Sequence, residues 1–289
     1  MSAPRLVVVH RETQLAQLLA EHSTMGAVEF FLASRGQSVT DLVAADDAQR
    51  RALELATRAV PAQWRLAIVE RNQLSRFLFE PDDLVAVIGQ DGLVPNVSKY
   101  LDGQAVLGIS PQRPGPLCRH TPHDLTRFLD GARHRVEERA MVEATSDDGQ
   151  RLRALNEVFV GDRGHQSARY EIHVGGEQET QSSSGLIVGT GTGSSGWLAS
   201  LWLQTRPGFQ LPAPDSTALA YFVREAWPSP STGTQLVAGL IADDAAIKLV
   251  TRSPLVVFGD GIERDCLRLD WGQRLTIRRA PNSLRLLLL

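Results

Sequence analysis

A chain of 289 residues, 43% hydrophobic and 22% charged, has room for one large or two medium cores and needs no disulfide or metal staple to hold them. Its formal net charge of −3 and isoelectric point near 6.2 exclude the basic bias of a nucleic-acid-binding surface, so local geometry must hold any phosphate-bearing ligand. Cys118 and Cys266 are too few for a disulfide framework, the apolar run near the start is too short for a signal peptide, and no stretch approaches the ~18 apolar residues of a membrane span. The expectation is a cytoplasmic protein with no membrane or nucleic-acid partner.

In chain order, Leu6–Val9, Leu66–Val69, Leu84–Ile88 and Ala105–Ile109 are short apolar runs of the kind buried in parallel sheets. Between them Thr13–Glu21, Thr24–Arg35, Asp41–Ala59 and Val94–Leu101 carry apolar residues at helical spacing, and a helix over His123–Gly131 follows Thr121 and Pro122. This alternation predicts a Rossmann-like parallel α/β domain over residues 1–132. From about Arg135 the pattern becomes short strands separated by turns: Arg135–Thr145, Leu152–Val160, Arg169–Val174, Leu186–Thr190, Val237–Ile241, Ala246–Thr251, Leu255–Phe258, Cys266–Trp271 and Leu275–Arg279. Residues 133–289 therefore predict a β-rich, sandwich-like domain with one inserted helix around Trp197–Gln204. The Pro- and Ser-rich stretch Arg206–Pro230 gives no clear element, and the apolar run Leu284–Leu289 is expected to fold back onto the body.

Gly89-Gln90-Asp91-Gly92 stands where a buried strand ends and a helix begins, the edge at which open parallel sheets place ligands. Glycines allow phosphate oxygens close to the backbone, and a carboxylate there suits a hydroxyl nucleophile or Mg²⁺. The plainer reading is a turn with an Asp helix cap. Gly189-Thr190-Gly191-Thr192-Gly193-Ser194-Ser195-Gly196 follows a second apolar strand and offers hydroxyls and N–H groups to a polyanion or ribose. It also fits the dinucleotide pattern G-x-G-x-x-G, but lies among antiparallel strands and not in a βαβ unit; a structural bend is the third reading. Asn156-Glu157 opens an apolar strand and can pair with a purine edge or ribose, or merely solubilise a strand edge. Asp260-Gly261 alone is a hairpin turn. Cys118, His120 and His123 match no common metal spacing, so no metal-ligating residue is assigned.

Together and in this order, these segments resemble the NAD kinase family, whose members carry GGDG after a strand, then an Asn-Glu pair, then a TPTGSTAY-type loop. The likeness covers most of residues 84–289, and Ala154–Phe159, Ser183-Ser184-Gly185 and Thr190–Ser194 are most similar to the mitochondrial class. The resemblance implies NAD bound between the two domains, with ATP as phosphate donor and Mg²⁺ on the triphosphate. It implies Asp91 as the base on the 2′-hydroxyl of the adenosine ribose and Gly89, Gln90 and Gly92 along the phosphates. Asn156 and Glu157 would meet the adenosine, and Thr190, Thr192, Gly193, Ser194, Ser195, Gly196 and Trp197 would form the nucleotide loop, Trp197 replacing a Tyr as stacking surface. It further implies a homodimer or homotetramer. Gln90 departs from the family's second glycine and raises a rival reading, a nucleotide-binding or regulatory homologue with impaired catalysis; a lipid or other small-molecule kinase is a second rival, and a Rossmann oxidoreductase the last.

Overall fold

The computed structural model describes residues 3–289; Met1 and Ser2, the first two positions of the first predicted domain, lie outside the described residues. The chain divides into two compact units, one running to Glu137 and taking back Arg285–Leu289, the other spanning Glu138–Leu284.

The first unit is built on a six-stranded sheet. Strands β1 (Arg5–His10), β2 (Arg65–Glu70), β3 (Leu84–Ile88), β4 (Ala105–Ile109), β5 (Arg135–Arg139) and β18 (Leu284–Leu288) lie in the order β2-β1-β3-β4-β18-β5. The pairs from β2 to β18 are all parallel. Apolar side chains alternate across both faces: Leu6, Val8, Leu84, Ala86, Ile88, Leu107 and Ile109 meet Ala52 and Ala56 of α3 (Thr40–Ala59), Leu125 of α5 (Pro122–Leu129) and Leu287. Helices α1 (Gln14–His22) and α2 (Met25–Ala33) begin at Thr13 and Thr24, whose hydroxyls accept from Ala16 N and Ala27 N at 3.2 Å each. The α5 start combines Pro122 in its first turn with a capping box between Thr121 and Asp124. One expectation fails at β2. As an edge strand with one pairing partner it leaves Leu66 37% and Ile68 50% exposed, and only Val69 is buried.

The second unit is a pair of six-stranded sheets over one core, in the orders β10-β9-β14-β17-β6-β7 and β13-β12-β11-β8-β15-β16, with every described pairing antiparallel. The strands are β6 (Val142–Ser146), β7 (Arg151–Ala154), β8 (Glu157–Gly161), β9 (Ala168–Val174), β10 (Glu177–Ser183), β11 (Gly185–Gly189), β12 (Leu219–Arg224), β13 (Ala238–Ile241), β14 (Ala246–Thr251), β15 (Leu255–Gly259), β16 (Leu267–Leu269) and β17 (Arg274–Arg279). A single helix of the α type, α6 (Trp197–Thr205), follows β11. Two predicted strands each break in two, at residues 140–141 and 155–156, and β10 and β12 are additions to the sequence reading. β10 lacks an apolar stripe, burying Gln181 and Ser183 instead, whereas β12 is apolar but hidden in a Pro- and Ser-rich setting.

Candidate nucleotide site

In the first unit, β3 is buried along its whole length and releases the chain at Gly89. Gln49 of α3 donates to Ile88 O at 3.0 Å, and Gly89 N bonds Ile109 O at 2.9 Å, so both sides of the strand end are tied down. Leu93 N and Val94 N return to Gln90 O and Asp91 O at 2.9 and 3.0 Å, which rolls the turn straight into α4 (Leu93–Ser98).

Asp91 does not cap that helix. The cap position is Gly92, and the Asp91 carboxylate turns to another segment, where Oδ1 accepts from Leu117 N at 3.0 Å and Cys118 N at 2.6 Å. Gly115 packs so closely against this carboxylate that a Cβ there would lie 2.1 Å from Oδ2. Two charge-assisted bonds to one oxygen fix the rotamer and leave the acceptor capacity of Oδ2 for a further donor. Burial, with the Asp91 charge adding to it, pushes the Cys118 thiol up to about 12, so this cysteine stays a neutral thiol.

Gln90 is exposed and does not take a positive φ, so the replacement of glycine strains nothing in the backbone. Two cavities flank the turn. One, of about 650 Å³, is lined by Asp91, Gln90, Gly92, Asp41 and Arg113; the other, of about 490 Å³, by Gly89, Gln90, Gly92, Arg11, Gln49 and Asn96. Arg11 and Arg113 were missed in the sequence. The available signal was position: Arg11 follows β1, the parallel neighbour of β3, at the same end of the sheet where ligands collect. Among the described residues no group of three or more His, Cys, Asp or Glu side chains is placed to hold a metal.

The second unit gathers the other predicted residues around the break between β7 and β8. Glu157 pairs with Gly189 across β8 and β11, and the loop leaving β11 folds back over Leu155 and Asn156. Thr190, buried, donates through Oγ1 to Leu155 O at 2.5 Å and through N to Asn156 O at 2.9 Å, while its hydroxyl accepts from Thr192 N at 3.1 Å. Ser194 Oγ donates to Thr190 O at 3.3 Å. Gly191 and Gly193 sit hard against backbone: a Cβ would fall 1.8 Å from Ala213 O in one and 2.5 Å from Asn156 O in the other. Ser195 and Gly196 are exposed, and Thr192 Oγ1 is buried without a hydrogen-bond partner. Trp197 is engaged by protein, stacked on Phe159 at 5.8 Å between centroids with the Arg224 guanidinium 5.7 Å from its ring. A stacking role toward a base must use what these contacts leave.

Asp260 supplies what the sequence left unassigned. Its carboxylate accepts from Leu155 N at 2.8 Å and Asn156 N at 2.7 Å. Burial, reinforced by the Asp260 charge, raises the Glu157 carboxyl to about 7. A carboxyl held near neutrality beside a hydroxyl-rich loop is a common property of functional sites.

An NAD kinase of Chlorobaculum tepidum is 25% identical to this chain over 213 residues, 71% of each protein. One from Thermotoga petrophila is 34% identical over 128 residues, covering 41% of this chain and 48% of the relative, and one from Neisseria gonorrhoeae is 32% identical over 143 residues, 45% and 46%. The chain thus spans only about half the length of the latter two. Over these stretches the chain is similar to NAD kinases. No family model matches it. The crystal structure of an NAD kinase from Archaeoglobus fulgidus in complex with ATP matches with a TM-score of 0.58 at 18% identity, over 98% of this chain and 92% of that one, a likeness of fold. Against the pattern of the NAD kinases, the glycine turn carries one substitution, Gln90, and the loop after β11 ends in Ser195-Gly196-Trp197.

Proposed function

We propose that the protein transfers the γ-phosphate of ATP to the 2′-hydroxyl of the adenosine ribose of NAD, forming NADP. The observation that carries this reading is the Asp91 carboxylate: anchored through Oδ1 by two backbone N–H groups, it borders a cavity at the end of a parallel strand. Oδ2 takes the proton of the ribose hydroxyl as that oxygen bonds to the γ-phosphorus, and ADP departs with the electrons of the broken P–O bond. Gly89, Gln90 and Gly92 present backbone to the phosphates, and Arg11 and Arg113 offer positive charge at the two cavities. Asn156, Glu157 and the loop from Thr190 to Trp197 recognise the adenosine portion. Catalysis of this kind is chiefly positioning and electrostatics.

Mg²⁺ would be carried on the triphosphate, where it neutralises the charge of the phosphates as the transfer proceeds. Gln90, exposed and unstrained, supplies no reason to expect an impaired homologue. A cytoplasmic homodimer or homotetramer belongs to the same proposal. The test is incubation of the purified protein with NAD, Mg²⁺ and a panel of donors: ATP, other nucleoside triphosphates and polyphosphate. NADP formed with ATP is the expected result; nucleotide binding without NADP from any donor overturns the reading in favour of a regulatory homologue.

A further inference from the structure

The Asp260-Gly261 turn has no task in the reaction as described. It opens the link of residues 260–266 between β15 and β16, closes with Ile262 N on Gly259 O at 3.0 Å, and places Asp260 and Gly261 at φ of 52° and 69°. Both values are those of a tight turn with two successive left-handed residues, which here leads into a longer link and not straight into a hairpin partner, and Asp is among the few residues that tolerate this region. The turn geometry accounts for a small polar residue at 260, but asparagine or glycine would serve it as well. The carboxylate is used elsewhere. Its two oxygens accept from the successive N–H groups of Leu155 and Asn156, and Asp260 N in turn donates to Glu157 O at 3.1 Å. One residue thus grips three consecutive residues where β7 gives way to β8, and satisfies two N–H groups that the break removes from the ladder.

We propose that Asp260 is a positioning residue for the nucleotide, its carboxylate setting the direction in which the Asn156 and Glu157 side chains meet the adenosine. This rests on the reading given under Proposed function. The charge matters as well as the acceptors. Of the elements around Glu157, β11 presents Gly189, and the β15–β16 link presents Asp260, the one charge acting on Glu157 among the described residues. An ionised carboxylate can accept from both ribose hydroxyls with full charge, whereas the neutral acid keeps only its carbonyl oxygen as a good acceptor, so nucleotide affinity rises with pH as Glu157 loses its proton, and Asp260 sets where that rise falls.

Asp260→Asn keeps a residue tolerant of positive φ while removing the charge and one of the two acceptors. Measured well above pH 7, where Glu157 is ionised in both proteins, the expected result is a KM for NAD raised ~10-fold with kcat held within about 3-fold. The carboxyl of Glu157, followed by NMR in glutamate-labelled protein and assigned by its loss in Glu157→Gln, titrates at lower pH in the variant, and the pH dependence of KM moves with it. An unchanged KM and an unmoved Glu157 titration in folded Asp260→Asn protein overturn the proposal. So does a raised KM with the titration unmoved, which marks a merely structural part. Should the wild-type protein make no NADP, the functional reading falls by itself, and the grip on Glu157 is still decided by the NMR titration.

Discussion

Two glycine-rich turns, one in each unit, carry glycine for opposite reasons. At Gly92 the backbone has an ordinary helical φ of −61°, and a Cβ would meet nothing within 4 Å, so the fold itself makes no demand for glycine. At Gly191 and Gly193 a Cβ would strike backbone carbonyl oxygens of the same unit. The first turn keeps a space open beside Asp91; the second spends its glycines on packing a loop against Asn156. A glycine-rich motif is therefore not one signal. Only the turn whose glycine the protein does not need points to a ligand's close approach.

The contrast breaks or sharpens under substitution. Gly191→Ala forces a Cβ against a backbone oxygen that cannot swing aside, and should destabilise the protein by about 3 kcal/mol in denaturant unfolding. Gly92→Ala should leave stability within about 0.5 kcal/mol and lower NADP formation ~10-fold, because the methyl enters space that phosphate would use. If Gly92→Ala were fully active, or Gly191→Ala as stable as wild type, the distinction would fail. The smallest effect is a pH-dependent one at Glu157. Its carboxyl is raised to about 7 in the folded protein, so the native state holds a proton that the unfolded chain releases at lower pH. Stability from this group is full below the ordinary carboxyl range and is lost as pH rises through about 7. Glu157→Gln mimics the neutral form: its melting temperature should exceed that of wild type by a few degrees at about pH 8 and match it at about pH 4, below the ordinary carboxyl range. The same advantage at both pH values would contradict the assignment.

Much of the architecture was legible because burial imposes a period. The alternation of apolar runs and amphipathic stretches before residue 130 marks β1, β3, β4 and five helices, and the shift to short alternating strands marks the second unit. What escaped had no apolar signature. β10 buries Gln181 and Ser183 through polar contacts, with Gln181 donating to Leu236 O at 3.1 Å and Ser183 Oγ bonded to Tyr170 at 2.8 Å. β2 reads as buried from its residues, yet its place at the sheet edge is a tertiary fact. In the candidate site, the residues proposed to carry the chemistry stand in recognisable motifs, whereas their partners do not. Nothing local in the sequence announces that Asp91 is fixed by Leu117 and Cys118, or that Asp260 reaches back about a hundred residues to Leu155 and Asn156.

The central claim is that Asp91 acts on the proton of the ribose hydroxyl and is not a cap or a binding contact. Asp91→Asn retains an oxygen for the Leu117 and Cys118 N–H groups and removes the base. NADP formation by this variant, measured beside its affinity for NAD, should fall ~1,000-fold while NAD binds within a few-fold of wild type. NAD binding lost with turnover of the bound molecule unchanged would contradict the account.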